Sequence, residues 1–210
     1  DEFAKIVLGA LKKADFDVVE KPPADLGVVA SYGKIIRKKV IESFPHGILN
    51  VHPSILPKYR GPSPIQYTIL NGDTETGVTI MKMDEEMDHG DIVANEEFRM
   101  KNDETHSELR NQLAKLGAEL LIKIIPDYIS GKITPVPQDH SQATYTKLLT
   151  RDDGKVDLEN DTPEKIYNKF RAYEGWPGIW FTYKGKRVKI LAYTPGNIIT
   201  LQPEGKKPMS

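Results

Sequence analysis

The sequence predicts an α/β protein: an open, mostly parallel sheet followed by a small barrel-like β module. Three observations predict it. Short apolar runs stopped by Gly or Pro alternate with stretches of helical period through about residue 135. After Pro177 the pattern changes to period two in IWFTYKGKRVKILAY. The charge is also divided: residues 1–150 carry 18 Lys/Arg against 22 Asp/Glu, whereas from Lys165 onward the count is 9 against 2.

Taken in order, residues 2–13 place Phe3, Ile6, Val7, Ala10 and Leu11 at helical spacing. LGVVASY, 26–32, is a short apolar run ending at Gly33 and reads as a buried strand of a parallel sheet. Residues 34–43 read as a short helix. HGILNVHP reads as a second buried strand, stopped by Pro53 because proline cannot donate to a ladder. PIQYTIL, 64–70, reads as a helix with Pro64 in its first turn. GVTIMKM and DIVANEEF read as two further strands flanking an acidic loop. A long helix is expected from Thr105, which has capping-box spacing to Glu108. Its stripe is Leu109, Leu113, Leu116, Leu120, Leu121, Ile124 and Ile125, with a kink expected at Pro126 and an end before Gly131. The polar stretch 134–154 reads as a linker. Thr162–Pro163 opens a second helix with Ile166 and Phe170 inward. Lys184–Gly185 marks a turn between two strands.

Composition narrows the chemistry. With 210 residues, 39% hydrophobic and 28% charged, the chain can bury a core. Cys is absent, which excludes disulfides, thiolate zinc sites and a Cys nucleophile. No run approaches the roughly 18 apolar residues of a membrane helix, and no basic-then-apolar segment opens the chain. A reducing cytosolic setting is the expectation. The basic C-terminal stretch suggests a polyanionic partner, with a solvated Lys-rich face as the plainer alternative.

The richest segment is 46–91. Asn50 and His52 lie two apart at a strand end, so period two puts them on one face. Ligands of open α/β sheets bind beyond the carboxyl ends of strands. An amide that donates to a carbonyl oxygen beside an imidazole that moves a proton is a workable acyl-transfer pair. Asp88, on the acidic loop, is placed to orient the imidazole. Each also has a plainer reading: a partnered strand His, a turn-forming Asn and a solvated acidic loop. A metal reading of DEEMDHGD is weak because it lacks EF-hand spacing, so no metal is expected.

Spelling and order add to this. NVHPSILPKYRGPSPIQ followed by GVTIMKMDEEMDHGDI closely resembles the folate-dependent formyltransferase superfamily, with Ile55 where that family often has Leu. The resemblance implies a Rossmann-like sheet and a catalytic triad of Asn50, His52 and Asp88. It implies that ASYGKII holds the pterin of the formyl donor, through Gly33, Lys34, Ile35 and Ile36, together with Met83, Asp84 and Glu85. QATYTKLLTRDDGKVD, RAYEGWPGIWF and LQPEGKKPMS resemble the linker and the OB-like C-terminal domain of the tRNA-acting branch. The implied donor is 10-formyltetrahydrofolate and the acceptor is the methionyl α-amine of initiator tRNA. Candidate tRNA contacts are Arg60, Lys184, Lys186, Arg187, Lys189, Lys206 and Lys207. Sugar-amine or purine-precursor transfer with the same triad, or nucleic-acid binding by an inactive relative, are the alternatives.

The expected organisation is a catalytic domain at 1–135, a linker at 136–154 and an OB-like tRNA-binding domain at 155–210, acting as a cytosolic monomer with no membrane partner. The family has more chain in its first half and in its C-terminal module. The sequence is therefore expected to join parts of a longer chain, with material absent within 17–24 and within 193–199, and its natural start missing before Asp1.

Overall fold

The computed structural model describes residues 1–19 and 23–209. Strands β1 (Gly27–Ala30), β2 (Ile48–His52), β3 (Glu75–Lys82) and β4 (Ile92–Arg99) form one sheet in the order β1-β2-β3-β4. Only β1 and β2 run parallel. β2–β3 and β3–β4 are antiparallel, which corrects the expectation of a mostly parallel sheet. The reason is partly connection length. The loop from β3 to β4 is too short for the crossover of a dozen or more residues that parallel neighbours require. The sequence misled because β3 is buried along nearly its whole length, as a parallel strand would be.

Helix α1 (Glu2–Lys13) turns Phe3, Val7 and Leu11 inward, and Asp1 Oδ1 accepts from the Ala4 N–H at 3.0 Å to cap it. A short α2 (Lys38–Ile41) lies in the β1–β2 crossover, shorter than the helix expected over 34–43. α3 spans Pro64–Leu70. The long α4 (His106–Ile129) starts where the capping box requires, with Glu108 Oε2 accepting from the Thr105 N–H at 2.9 Å. It continues past Pro126 to Ile129. Leu109, Leu113 and Leu121 are fully buried in a core shared with α1, β2 and β3. Each such burial contributes about 1.5–3 kcal/mol, so packing outweighs propensity in holding this helix.

Segment 136–154 is extended apart from two 3-10 turns, at His140–Gln142 and Arg151–Gly154. It was expected as a linker, yet it lies along the main sheet. Val136 exchanges two backbone hydrogen bonds with Ile92, both 2.8 Å, and Arg60 forms a parallel bridge with Tyr145.

Helix α5 (Pro163–Ala172) is capped by the Thr162 side chain and followed by β5 (Ile179–Tyr183), β6 (Lys186–Thr194) and β7 (Asn197–Pro203), an antiparallel three-stranded sheet. Lys184 and Gly185, at φ 48° and 75°, form the β5–β6 turn, with both residues at the positive φ of the type I′ hairpin. Window 193–199 is a second tight hairpin in which Thr194 pairs with Asn197 and Tyr193 with Ile198. The short strands β6 and β7 connect directly through this turn. The other window, 17–24, includes residues outside the described ones. No helix among the described residues is long and apolar enough to cross a membrane.

The C-terminal part joins the main body where α5 packs on α3 and its last turn reaches the start of α4. Arg171, buried, donates from Nη1 to the Glu104 carbonyl at 2.9 Å and from Nη2 to Asn168 Oδ1 at 2.6 Å. Glu174 Oε2 accepts from the Ser107 N–H at 3.0 Å, placing a carboxylate on the positive end of α4. Burial alone would raise the Glu174 carboxyl, but its hydrogen bonds to Ser107 outweigh that and hold it below its ordinary value. A depressed carboxylate contributes stability above its unfolded pKa and loses it as pH falls through the folded one. Glu174→Ala should therefore cost roughly 0.3–1 kcal/mol at neutral pH. In urea unfolding, the gap from wild type should close as pH is lowered below the ordinary carboxyl value of 4.5.

Candidate active site

The site is assembled at the carboxyl end of β2. Asn50 and His52 project from one face of that strand and are 9% and 4% exposed. After Pro53 the chain turns back through 53–61, fastened to β3 by Thr79. The Thr79 Oγ1 hydroxyl donates to the Ser54 carbonyl at 2.8 Å and accepts from the Leu56 N–H at 3.0 Å. Tyr59 anchors the far side of this loop. Its hydroxyl donates to Asp73 Oδ2 and accepts from Asn71 Nδ2, each at 2.7 Å, and burial pushes its pKa up.

Asp88 reaches the same point from the β3–β4 loop. Its Oδ1 accepts from Asn50 Nδ2 at 3.3 Å and lies 3.6 Å from His52 Nδ1, while its Oδ2 accepts from the Gly61 N–H at 2.7 Å. The structure thus brings all three predicted catalytic side chains to one carboxylate. The ring orientation follows from the remaining partner. His52 Nε2 is 3.1 Å from the Tyr59 carbonyl, and a carbonyl only accepts, so Nε2 carries a proton. Nδ1 is left facing Asp88.

Two features show how tightly the carboxylate is presented. Asp88 itself has φ 50°, a left-handed backbone that costs a non-glycine residue roughly 1–2 kcal/mol and marks functional loops. Gly90, two residues on, packs so closely that a Cβ there would lie 1.9 Å from the Lys82 carbonyl oxygen. This gives the Asp-x-Gly spelling a steric reason.

The residues expected to bind the donor lie nearby but do not form one lining. Gly33 turns at φ 68° and Ile35 is 87% exposed on the loop after β1. Lys34 is exposed and Ile36 half-buried on the same loop. Met83 is fixed at the end of β3, its N–H donating to the Ile48 carbonyl at 2.8 Å. Asp84 and Glu85 help line an open cavity of about 330 Å³ with Lys38, Ile41, Glu42 and Glu86. Lys38 Nζ is 4.0 Å from Glu85 Oε2, and Asp84 Oδ2 is 2.6 Å from His89 Nδ1. Among the described residues no group of three or more His, Cys, Asp and Glu side chains is arranged to hold a metal ion.

Of the residues expected to contact tRNA, Lys184, Lys186, Lys189, Lys206 and Lys207 are exposed on the small sheet and its final turn. Arg187 is half-buried, 3.6 Å from Glu204 and 5.6 Å from the Trp180 ring centre. Arg187 and Lys189 edge a shallow hollow of about 220 Å³. Arg60 is a correction. It is 2% exposed, with its guanidinium held by Gln138 and His140, so it does not offer a surface charge to a phosphate. Sequence reasoning missed Gln138, His140 and Thr146, which line the back of the site from segment 136–154. They are isolated polar residues in a Pro-containing stretch, and no spacing marks them.

The model described as "Formyl transferase" matches residues 9–125, and that described as "Formyl transferase, C-terminal domain" matches residues 148–198. The chain belongs to the formyl transferase family. A methionyl-tRNA formyltransferase from Roseiflexus sp. (strain RS-1) is 42% identical over 213 residues, 88% of this chain and 65% of that protein. The chain therefore spans just under two thirds of that relative's length. Among solved structures, a 4-N formyltransferase from Francisella tularensis superposes with a TM-score of 0.71 at 26% identity, over 91% of this chain and 81% of that one. HypX from Aquifex aeolicus in complex with tetrahydrofolic acid shares the fold, with a TM-score of 0.70 at 22% identity, over 92% of this chain and 33% of that one. Strands β5 and β6 of the small antiparallel sheet fall within the C-terminal match of this formyl transferase chain, which ends just inside β7.

Gly90→Ala should drive the loop away from Lys82 and carry Asp88 with it. A loss of roughly 1–3 kcal/mol of stability is expected, as for other overpacking changes. It should be read as a lower urea midpoint, with faster amide exchange at Gly61.

Proposed function

We propose that the chain transfers a formyl group from 10-formyltetrahydrofolate to the α-amino group of methionyl initiator tRNA. What carries the reading is the meeting of Asn50 and His52 on the Asp88 carboxylate, in a chain 42% identical to a methionyl-tRNA formyltransferase. The reaction makes a bond from the methionyl nitrogen to the formyl carbon, breaks the bond from that carbon to the folate nitrogen, and moves one proton from the first nitrogen to the second. Asn50 has two N–H groups and uses one on Asp88, leaving the other for the oxygen that gains charge as the amine adds. His52, with Nε2 held by Tyr59, exchanges protons through Nδ1 with Asp88, and the pair carries the amine proton toward the leaving nitrogen. No metal is required.

Asp84, Glu85 and the 33–36 loop are proposed to receive the pterin. Its amino and ring N–H groups are donors that carboxylates and loop carbonyls accept. Residues 1–135 act as the catalytic domain and 136–154 connect it to a tRNA-binding domain at 155–210. In that domain β5–β7 are read as part of an OB-like module, and the setting is cytosolic.

The test is formyl transfer from 10-formyltetrahydrofolate to charged initiator tRNA, run beside amino-sugar acceptors. Transfer to the sugars alone would move the chain to another branch of the family. Asn50→Ala should lower kcat about 10²–10³-fold, the usual cost of one oxyanion donor, and leave folate affinity nearly unchanged. Near wild-type turnover would remove Asn50 from the mechanism. Lys184, Lys186, Arg187, Lys189, Lys206 and Lys207 are proposed to contact tRNA phosphates. Binding should then weaken with salt at a log–log slope of roughly −0.7 to −0.9 per phosphate. Reversing several of these charges should raise KM for tRNA alone, and a salt-insensitive KM would leave the face merely solvated.

A further inference from the structure

We infer that Gln138 is a positioning residue for the Asp88 carboxylate, acting from the stretch that neither family model covers. The inference rests on the active-site reading above. Gln138 is 5% exposed, and its amide is fully committed. Its Oε1 accepts from Arg60 Nε at 3.2 Å and Nη2 at 2.7 Å, while its Nε2 donates to the Asp88 carbonyl at 3.0 Å and the Gly90 carbonyl at 2.7 Å. The orientation is forced, since a guanidinium only donates and a carbonyl only accepts.

One side chain therefore grips the carboxylate from two directions. Through Nε2 it holds the backbone of Asp88 itself, in the left-handed conformation at φ 50°. Through Arg60 it holds the residue preceding Gly61, whose N–H donates to Asp88 Oδ2 at 2.7 Å. The strap fixes Arg60 from the backbone as well: the Arg60 N–H donates to the Thr144 carbonyl at 2.9 Å, and the Thr146 N–H donates to the Arg60 carbonyl at 2.7 Å. His140 adds a third grip, accepting from Arg60 Nη2 at 2.8 Å and stacking on His89, beside Asp88, with ring centres 4.0 Å apart.

Electrostatics point the same way. Arg60 is buried with no carboxylate partner among the described residues. Its field falls on Gln138 Oε1 and polarises the amide, which strengthens the Nε2–H donors by roughly 10–30% per bond. A carboxylate in place of Gln138 would satisfy Arg60 better and the loop worse.

That asymmetry gives the test. Gln138→Glu keeps an acceptor for Arg60 and gains an ion pair, but turns lone pairs toward the Asp88 and Gly90 carbonyls. If Gln138 only anchors Arg60, this variant should be as active as wild type. If it positions Asp88, kcat for formyl transfer should fall on the order of 10²-fold, as for a small misplacement of a reacting group. KM for the formyl donor should stay close to wild type, and the melting temperature should fall modestly because two buried carbonyls lose their donors. In an Asp88→Ala background the same change should cost about 2-fold or less, because the two act as a unit. A readout independent of activity is the Gly61 amide, which reports where the carboxylate sits. Its hydrogen-exchange protection should drop about 10-fold or more in Gln138→Glu while strand amides such as Ile80 hold. Unchanged Gly61 protection, or unchanged kcat, overturns the assignment. A wild-type chain inactive toward tRNA would instead overturn the proposed acceptor, and the exchange experiment would still decide the role of Gln138.

Discussion

The hydrogen bond from the Gly61 N–H to Asp88 Oδ2, 2.7 Å long, is the contact on which the site depends. It joins the loop leaving β2 directly to the loop between β3 and β4, two segments that Gln138 also bridges through Arg60 and the Asp88 and Gly90 carbonyls. With that carboxylate fixed, Asn50 and His52 need no adjustment to reach it, because period two on β2 already faces them the same way. A charged acceptor with one short backbone donor and one amide donor is strongly held. The strained backbone at Asp88 is affordable only in such surroundings.

The antiparallel course of β3 and β4 is part of the same construction. Because β3 runs antiparallel to β2, Lys82 lies beside Leu49 and the acidic loop leaves from the amino end of β2. The loop then folds back toward the carboxyl end, so Asp88 reaches Asn50 and His52. The steric fit of Gly90 against Lys82 closes the β3–β4 hairpin tightly. The segment after α4 then crosses behind both loops, so a stretch with little regular structure becomes a wall of the site.

The C-terminal sheet is tied to the rest by a different device. Arg171 and Glu174 reach the first turn of α4, one taking a carbonyl and the other an N–H. Both groups are left unsatisfied by the helix or by the turn before it, so these polar bonds orient a joint whose apolar part, with Ile166, Ala172 and Tyr173, is continuous with the main core. It leaves the outer Lys-bearing edge of the small sheet facing solvent.

Local chemistry settled much of this protein in advance. The long helix from Thr105, the Pro64 helix, the Lys184–Gly185 turn and the placement of Asn50 with His52 all follow from contacts within a few residues, which a sequence displays directly. Strand direction did not follow, because the buried run of β3 reads alike in either sense until its partners are known. Arg60 looked like a surface cation, and its burial depends on Gln138, which is 78 residues away in the chain. The role of segment 136–154 was hidden for the same reason. Its polar side chains carry no period, and their partners lie on loops that only tertiary packing brings within hydrogen-bonding reach.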